Sequence, residues 1–156
     1  MIDWGPLDYD KLQDAAAGII AQAPDVATAM RDVVDFLKRS IGHYTWAGIY
    51  LLDGDELVLG PFVGAPSPHT RIPLGRGICG AAATEKASII VDDVNQDPRY
   101  LACSLTTRSE IVVPIMRGAE VLGEIDIDSD RFAAFRAHDR WLLEGIAEQL
   151  AARWGS

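Results

Sequence analysis

Residues Glu124-Ile125-Asp126-Ile127-Asp128-Ser129 alternate acid with isoleucine, and this alternation constrains the fold more than any other feature. In an extended chain successive side chains point to opposite faces. Glu124, Asp126 and Asp128 therefore share one face of a strand, and Ile125 and Ile127 share the other. The run just before it, Ile111 to Met116, is almost wholly apolar, and Arg117-Gly118-Ala119-Glu120 separates the two. Two extended runs across a short glycine-containing turn make a β-hairpin, and hairpins imply an antiparallel sheet. Periodicity alone makes the acid face the solvated one. Acids at successive same-face positions repel, however, and a strand tolerates them better when a cation or a substrate ammonium lies against them. Glu110 precedes the apolar run. It reads equally as the last exposed residue before a buried strand and as a partner of these acids.

The rest of the chain supplies cover for such a sheet. Leu12, Ala16, Ile19, Ile20 and Ala23 recur at helical spacing, giving a helix over about 8–23 that ends at Pro24. Asp25 caps a second helix, which carries Val26, Met30, Val33, Val34, Leu37 and Ile41 on one face and closes at Gly42. Thr45 to Leu52 reads as a strand, Asp53-Gly54 as a hairpin turn and Glu56 to Val63 as the returning strand. A Pro-rich loop follows. Gly75-Arg76-Gly77-Ile78-Cys79-Gly80 leads into a short helix over Ala81 to Thr84, then a strand over Ala87 to Val91. Asn95 to Ser109 is irregular. The last segment, from about Ala137 to Trp154, repeats Leu142, Leu143, Ile146, Ala147 and Leu150 on a helical face. No repeat or linker interrupts the chain. The expectation is one α+β domain over residues 1–156, with its core over about 26–153.

Composition narrows the partners. The chain has 156 residues, 49% of them hydrophobic, which is enough for a packed core. Its formal charge is −9, from 23 acids against 14 bases, with no basic run. Nucleic acid and anionic membranes are poor partners for such a surface. No apolar run is long enough to cross a bilayer, and the N-terminal residues lack the basic and apolar regions of an export signal, so the expected location is cytoplasmic. Two cysteines in a reducing compartment are seldom a staple; they are packed small hydrophobes or reactive thiols.

Cys103, in Leu-Ala-Cys-Ser, lies a few residues before Glu110. Carboxylates raise a thiol pKa, so a thiol among acids is poorly placed to become a thiolate unaided. The set makes sense when a cationic, polar substrate fills the gap, the thiol attacks it and an acid donates a proton. The glycine-rich Gly75–Gly80 segment lacks the Lys-Ser/Thr that ends a phosphate loop. Cys79 within it is a packed thiol or a partner for Cys103. Trp46 and Tyr50 share a strand face with Gly48 between them, either as a core pair or as the wall of a small pocket. His69, Cys79 and Cys103 offer zinc-type donors, but not at zinc-finger spacing, and a surface histidine is the better reading. Neither a metal nor a cofactor is expected.

Several motifs in order carry a resemblance. They are Trp46-Ala47-Gly48-Ile49-Tyr50, Leu59-Gly60-Pro61-Phe62, Ile72-Pro73-Leu74-Gly75-Arg76-Gly77-Ile78-Cys79-Gly80, Ala102-Cys103, Ser109-Glu110-Ile111-Val112-Val113-Pro114 and Asp126-Ile127-Asp128-Ser129. From about Tyr44 to Ser129 the chain resembles the free methionine-(R)-sulfoxide reductases, which are single-domain GAF proteins. The resemblance implies about six antiparallel strands with helices packed on them, a small enclosed pocket and a homodimer. It implies reduction of free methionine sulfoxide with electrons from thioredoxin or a small thiol. By position it makes Cys103 the nucleophile and Cys79 an accessory thiol. Glu110, Asp126 and Asp128 become the groups that hold the amine and protonate the sulfoxide oxygen, with Asp128 on the catalytic side, Asp126 on the binding side and Glu110 on both. Trp46 and Tyr50 become walls around the methyl end.

Three positions depart from the pattern. The family usually has a further cysteine ten residues before Cys79, which resolves the oxidised nucleophile; here that position is His69. The aspartate usually found after the nucleophile is Ser104, and the histidine three before it is Tyr100. The resemblance therefore leaves Cys103 without its usual intramolecular partner. Cys79 is expected to lie beyond disulfide range, about 4.4–6.8 Å between Cα atoms. A second reading keeps the pocket and gives up turnover: a GAF module that senses a small ligand.

Overall fold

The computed structural model of the protein describes residues 7–102 and 106–156. Helix α1 (Tyr9–Gln22) starts where the Asp8 carboxylate accepts from the Lys11 N–H at 3.1 Å. Helix α2 (Val26–Ser40) starts the same way, Asp25 accepting from the Thr28 N–H at 2.7 Å. Each cap satisfies an N–H that the first turn leaves without a helical partner. Strands β1 (Trp46–Asp53) and β2 (Glu56–Val63) form the first hairpin, turning at Gly54 with φ 64°. Strand β3 (Arg71–Pro73), helix α3 (Gly77–Glu85) and strand β4 (Ile89–Val91) follow. Strands β5 (Ser109–Arg117) and β6 (Glu120–Ser129) form the second hairpin, and helix α4 (Ala137–Ala152) ends the fold.

The six strands make one antiparallel sheet in the order β3-β2-β1-β6-β5-β4. The expected α+β class therefore holds, with both hairpins in place. One face carries Ala47, Ile49, Ile111, Val113, Ile125 and Ile127 into a core completed by α1, α2 and α4. The buried Asp139 joins that helical layer together. It accepts from the Tyr9 and Tyr44 hydroxyls at 2.9 and 2.8 Å and from the Arg136 N–H that caps α4 at 2.9 Å. The opposite face carries Trp46, Tyr50 and Val112 into a second, smaller core, with Ile78, Cys79, Ala82 and Ala83 of α3 packed over it.

Several elements differ from the sequence expectation. Helix α3 begins at Gly77, inside the glycine-rich segment, rather than at Ala81. A Cβ on Gly80 would lie 2.9 Å from the Pro73 carbonyl oxygen, so the glycine lets the helix rest directly on the chain leaving β3. Strand β4 is shorter than Ala87 to Val91, because only Ile89, Ile90 and Val91 pair with β5. Strand β3 falls where the sequence predicts only loop. Three residues with only Ile72 buried carry no periodic signal. The segment read as irregular also contains a 3-10 turn over Val94–Gln96.

Candidate active site

The β1, β6 and β5 register builds the site. Asp128 stands between Trp46 on β1 and Glu110 on β5; Asp126 stands between Gly48 and Val112; Glu124 stands between Tyr50 and Pro114. All of these side chains lie on the face covered by α3. Exposure falls to 5% for Glu110, 4% for Asp126, 3% for Asp128 and 0% for Glu124. The solvated-face expectation for β6 is therefore wrong, and so is the reading of Glu110 as an exposed residue. Alternation here separates an apolar core from a polar interior, because helices cover one face of the sheet and α3 with its loops covers the other. Such strands normally read as continuous apolar runs, so acids on both-side-buried strands are costly and point to chemistry.

Cys79 enters from α3 and donates through Sγ to Asp126 Oδ2 at 3.4 Å. Burial, then the charges of Asp126, Glu124, Glu110 and Asp128, push this thiol well above its ordinary pKa. It is held as a neutral S–H donor, unsuited to nucleophilic attack. Burial also raises Glu110, and the charges of Asp126 and Asp128 and its hydrogen bonds to them raise it further. Asp126 is raised by burial, while hydrogen bonds from Glu110 and Cys79 pull it back down. Burial thus drives both carboxyls toward the protonated form, and the pair titrates as a unit above the ordinary carboxylate range. Sγ of Cys79 and one oxygen each of Glu110 and Asp126 lie mutually within 4.8 Å.

Two cavities open on this face. One is lined by Tyr50, Cys79, Tyr100, Leu101, Glu110 and Asp126, with His69 at its rim. The other is lined by Trp46, Ala65, Thr106, Thr107 and Asp128. Trp46 and Tyr50 thus share the face, as expected, but wall different cavities. The Trp46 indole lies flat over the strand because Gly48 has no side chain: a Cβ there would sit 2.4 Å from the ring. Phe62 stacks against the indole with ring centroids 5.7 Å apart, and the Trp46 indole N–H donates to the Ala65 carbonyl at 2.9 Å. The Tyr50 hydroxyl donates to the His69 carbonyl at 2.9 Å, and the His69 Nε2 lies 2.9 Å from the Ala102 carbonyl oxygen. His69 is half-buried rather than a free surface residue, and it ties the loop after β2 to the residue before Cys103. Cys103, with Ser104 and Leu105, lies outside the described residues.

Sequence reasoning put Glu124 on the acid face without giving it a role. Its position in the alternation was the available signal.

The GAF domain model matches residues 23–153. The free methionine-R-sulfoxide reductase of Escherichia coli is 41% identical over 114 residues, covering 73% of this chain and 68% of that protein. The chain belongs to the free methionine-(R)-sulfoxide reductase family of GAF proteins. The crystal structure of the free methionine-R-sulfoxide reductase of Neisseria meningitidis, in complex with its substrate, superimposes with a TM-score of 0.90 at 34% identity. It covers 98% of this chain, and this chain covers 94% of it. GAF domain-containing protein A of Dictyostelium discoideum is 36% identical over 91% of this chain and 89% of its own length. Members of the reductase family are thus similar to this chain across both sheet faces, including the β5–β6 hairpin that carries the acids.

Proposed function

We propose that the protein reduces free L-methionine-(R)-sulfoxide to methionine at the acid face of the sheet. The observation that carries this reading is the buried acid cluster: Glu110 pairs with Asp128 across β5 and β6, and an oxygen of Asp126 lies within 4.8 Å of one of Glu110, a setting that favours a protonated carboxyl. A sulfoxide sulfur becomes electrophilic once its oxygen is protonated, and only a neutral acid can do that. Asp126 Oδ1 is buried and accepts no hydrogen bond among the described residues. It and Asp128 supply the negative charge for the substrate ammonium. In this scheme Glu110 protonates the sulfoxide oxygen as Cys103 attacks sulfur. The products are methionine and a sulfenic acid on Cys103, and the proton lost by the attacking thiol restores Glu110. Two equivalents of an outside thiol then return the sulfenic acid to thiol, giving a disulfide and water. Thioredoxin or a small thiol fills that role in the cytoplasm, and the working unit is a homodimer.

The test is an assay with separated sulfoxide epimers and dithiothreitol. The R epimer is expected to turn over and the S epimer to be inert. Folded, reduced protein that turns over neither epimer but binds the free amino acid would instead be a ligand-sensing GAF module.

Discrimination against blocked substrate should accompany turnover. An N-acetyl group removes the ammonium and leaves buried carboxylates without their cation, which costs several kcal/mol or forces protonation. N-acetyl methionine sulfoxide is therefore expected to show kcat/KM lower by about 10- to 100-fold, since one hydrogen-bonded charge contributes roughly 1.5–3 kcal/mol. Equal kcat/KM for the two substrates would refute ammonium recognition by Asp126 and Asp128.

A further inference from the structure

Cys79, Glu110 and Asp126 bring a thiol and two carboxyls together from three elements, α3, β5 and β6. One donor atom from each lies within 4.8 Å of the others, and none of the three residues is more than 6% exposed. A tetrahedral ion about 2.0–2.3 Å from its ligands holds them about 3.3–3.8 Å apart. Cys79 Sγ and Asp126 Oδ2 already stand at 3.4 Å, with the S–H proton between them. Exchanging that proton for an ion needs little movement of either group. The other oxygen gives an independent sign. Asp126 Oδ1 is buried without a hydrogen-bond partner among the described residues, and Asp126 lines the same cavity as Cys79 and Glu110. Buried polar atoms are normally paired, so an unpartnered carboxyl oxygen at a cavity wall marks a place for a ligand that takes its lone pair. The cavity measures about 30 Å³, room for an ion with about one water. Glu124 is 0% exposed with neither oxygen hydrogen-bonded, but it stands one alternation further along β6 and outside the lining of both cavities. The donor set is therefore Cys79, Glu110 and Asp126.

We propose that these three residues form an inhibitory site for a thiophilic divalent cation of the Zn²⁺ or Cd²⁺ kind, which excludes the substrate ammonium. The exclusion rests on the reductase reading above; the binding of the ion does not. A thiolate with two carboxylates suits such ions, whereas Mg²⁺ and Ca²⁺ take oxygen ligands and gain nothing from sulfur. The ion forms bonds to Cys79 Sγ and to one oxygen each of Glu110 and Asp126. The Cys79 S–H proton and the proton of the Glu110–Asp126 pair leave to solvent, and no electrons are transferred. The surrounding acids then no longer decide the state of Cys79, because a bound divalent cation is the largest local charge and deprotonates a coordinating thiol. A water takes the fourth position, since His69 at the rim has its Nε2 engaged with the Ala102 carbonyl. An ion held this way consumes the negative charge that Asp126 offers the ammonium, so ion and substrate compete.

The experiment uses the full chain carrying Cys103→Ser, in which Cys79 is the only thiol. Cd²⁺ is titrated against the ultraviolet Cd²⁺–thiolate charge-transfer band, with circular dichroism to confirm folding. One equivalent is expected to bind and give the band, Zn²⁺ to displace it, and excess Mg²⁺ to leave it unchanged. Adding Asp126→Asn, or separately Glu110→Gln, should weaken Cd²⁺ binding at least about 10²-fold, beyond the roughly 10–100-fold cost of altering an outer-shell partner. Free methionine and the R sulfoxide should each weaken the apparent Cd²⁺ affinity in proportion to their concentration, and N-acetyl methionine sulfoxide should do so far less. Folded protein that gives no band, or a band equally strong in both carboxyl variants, would overturn the site. With active wild type, a band indifferent to methionine and sulfoxide would overturn the inhibitory role. Wild type that turns over neither epimer while one equivalent of Cd²⁺ still binds would instead overturn the reductase reading and uphold the ion site.

Discussion

Cys103→Ser is expected to reduce sulfoxide turnover to background, while Cys79→Ser keeps most of the dithiothreitol-driven rate. The contrast follows from what each thiol can become. Nucleophilic attack needs sulfur that can shed its proton, and Cys79 is held as S–H by burial and by four surrounding carboxyls. Its work is to donate to Asp126, at 3.4 Å, and a serine hydroxyl can take over that hydrogen bond. The nucleophile role proposed for Cys103 comes from its place in the family motif. Removing a nucleophile from a concerted set commonly costs several orders of magnitude in kcat. The measurement is kcat for each variant with the R epimer, with circular dichroism to confirm folding. Comparable losses in both would reverse the assignment. Survival of turnover in Cys103→Ser would remove the thiol mechanism altogether.

Much of this fold was legible because its signals are periodic. Helices α1, α2 and α4 each repeat an apolar stripe, and both hairpins announce themselves by alternation around a glycine turn. Strand β3 was not legible, since three residues cannot show a period. The extent of α3 was hidden for another reason: its small and apolar residues show no helical stripe, and its glycines signal loop to any local rule. The acids show the deeper limit. Local pattern ties Glu124, Asp126 and Asp128 to one face correctly, but whether that face meets water depends on α3, a helix more than thirty residues away in sequence. Motif resemblance supplied what periodicity could not. The pairing of Cys79 with Asp126 and the isolation of Glu124 required coordinates, because both arise from the depth at which α3 crosses the sheet.

Glu110→Gln is expected to lower kcat by about 10²–10⁴-fold, the range for removing a positioned general acid. It should also stabilise the protein at alkaline pH. The two effects share one cause. Glu110 is raised by burial and then by the charges and hydrogen bonds of Asp126 and Asp128, so the folded protein keeps a proton that the unfolded chain releases above about pH 4. Where the folded state binds more protons, stability falls as pH rises. The wild type is therefore most favoured, with respect to this pair, below the unfolded value, and it loses stability as pH climbs from there toward the raised folded value. Glutamine keeps the shape and a hydrogen-bond donor toward Asp126 but has no proton to lose, so its stability curve should be flatter. Near pH 4 the two proteins should unfold at similar temperatures, and near pH 8 the variant should be the more stable. Wild-type kcat should decline on the alkaline side as the Glu110 proton is lost, and that limb should vanish from the residual activity of the variant. A variant destabilised at pH 8, or one retaining wild-type kcat, would place the shared proton elsewhere. The first outcome would make Glu110 an ionised structural carboxylate; the second would move the acid to Asp126 or Asp128. Substrate gives an independent check. A bound ammonium favours the ionised aspartates and competes with the cost of burying them, so free methionine should raise the unfolding temperature more at pH 8 than at pH 5.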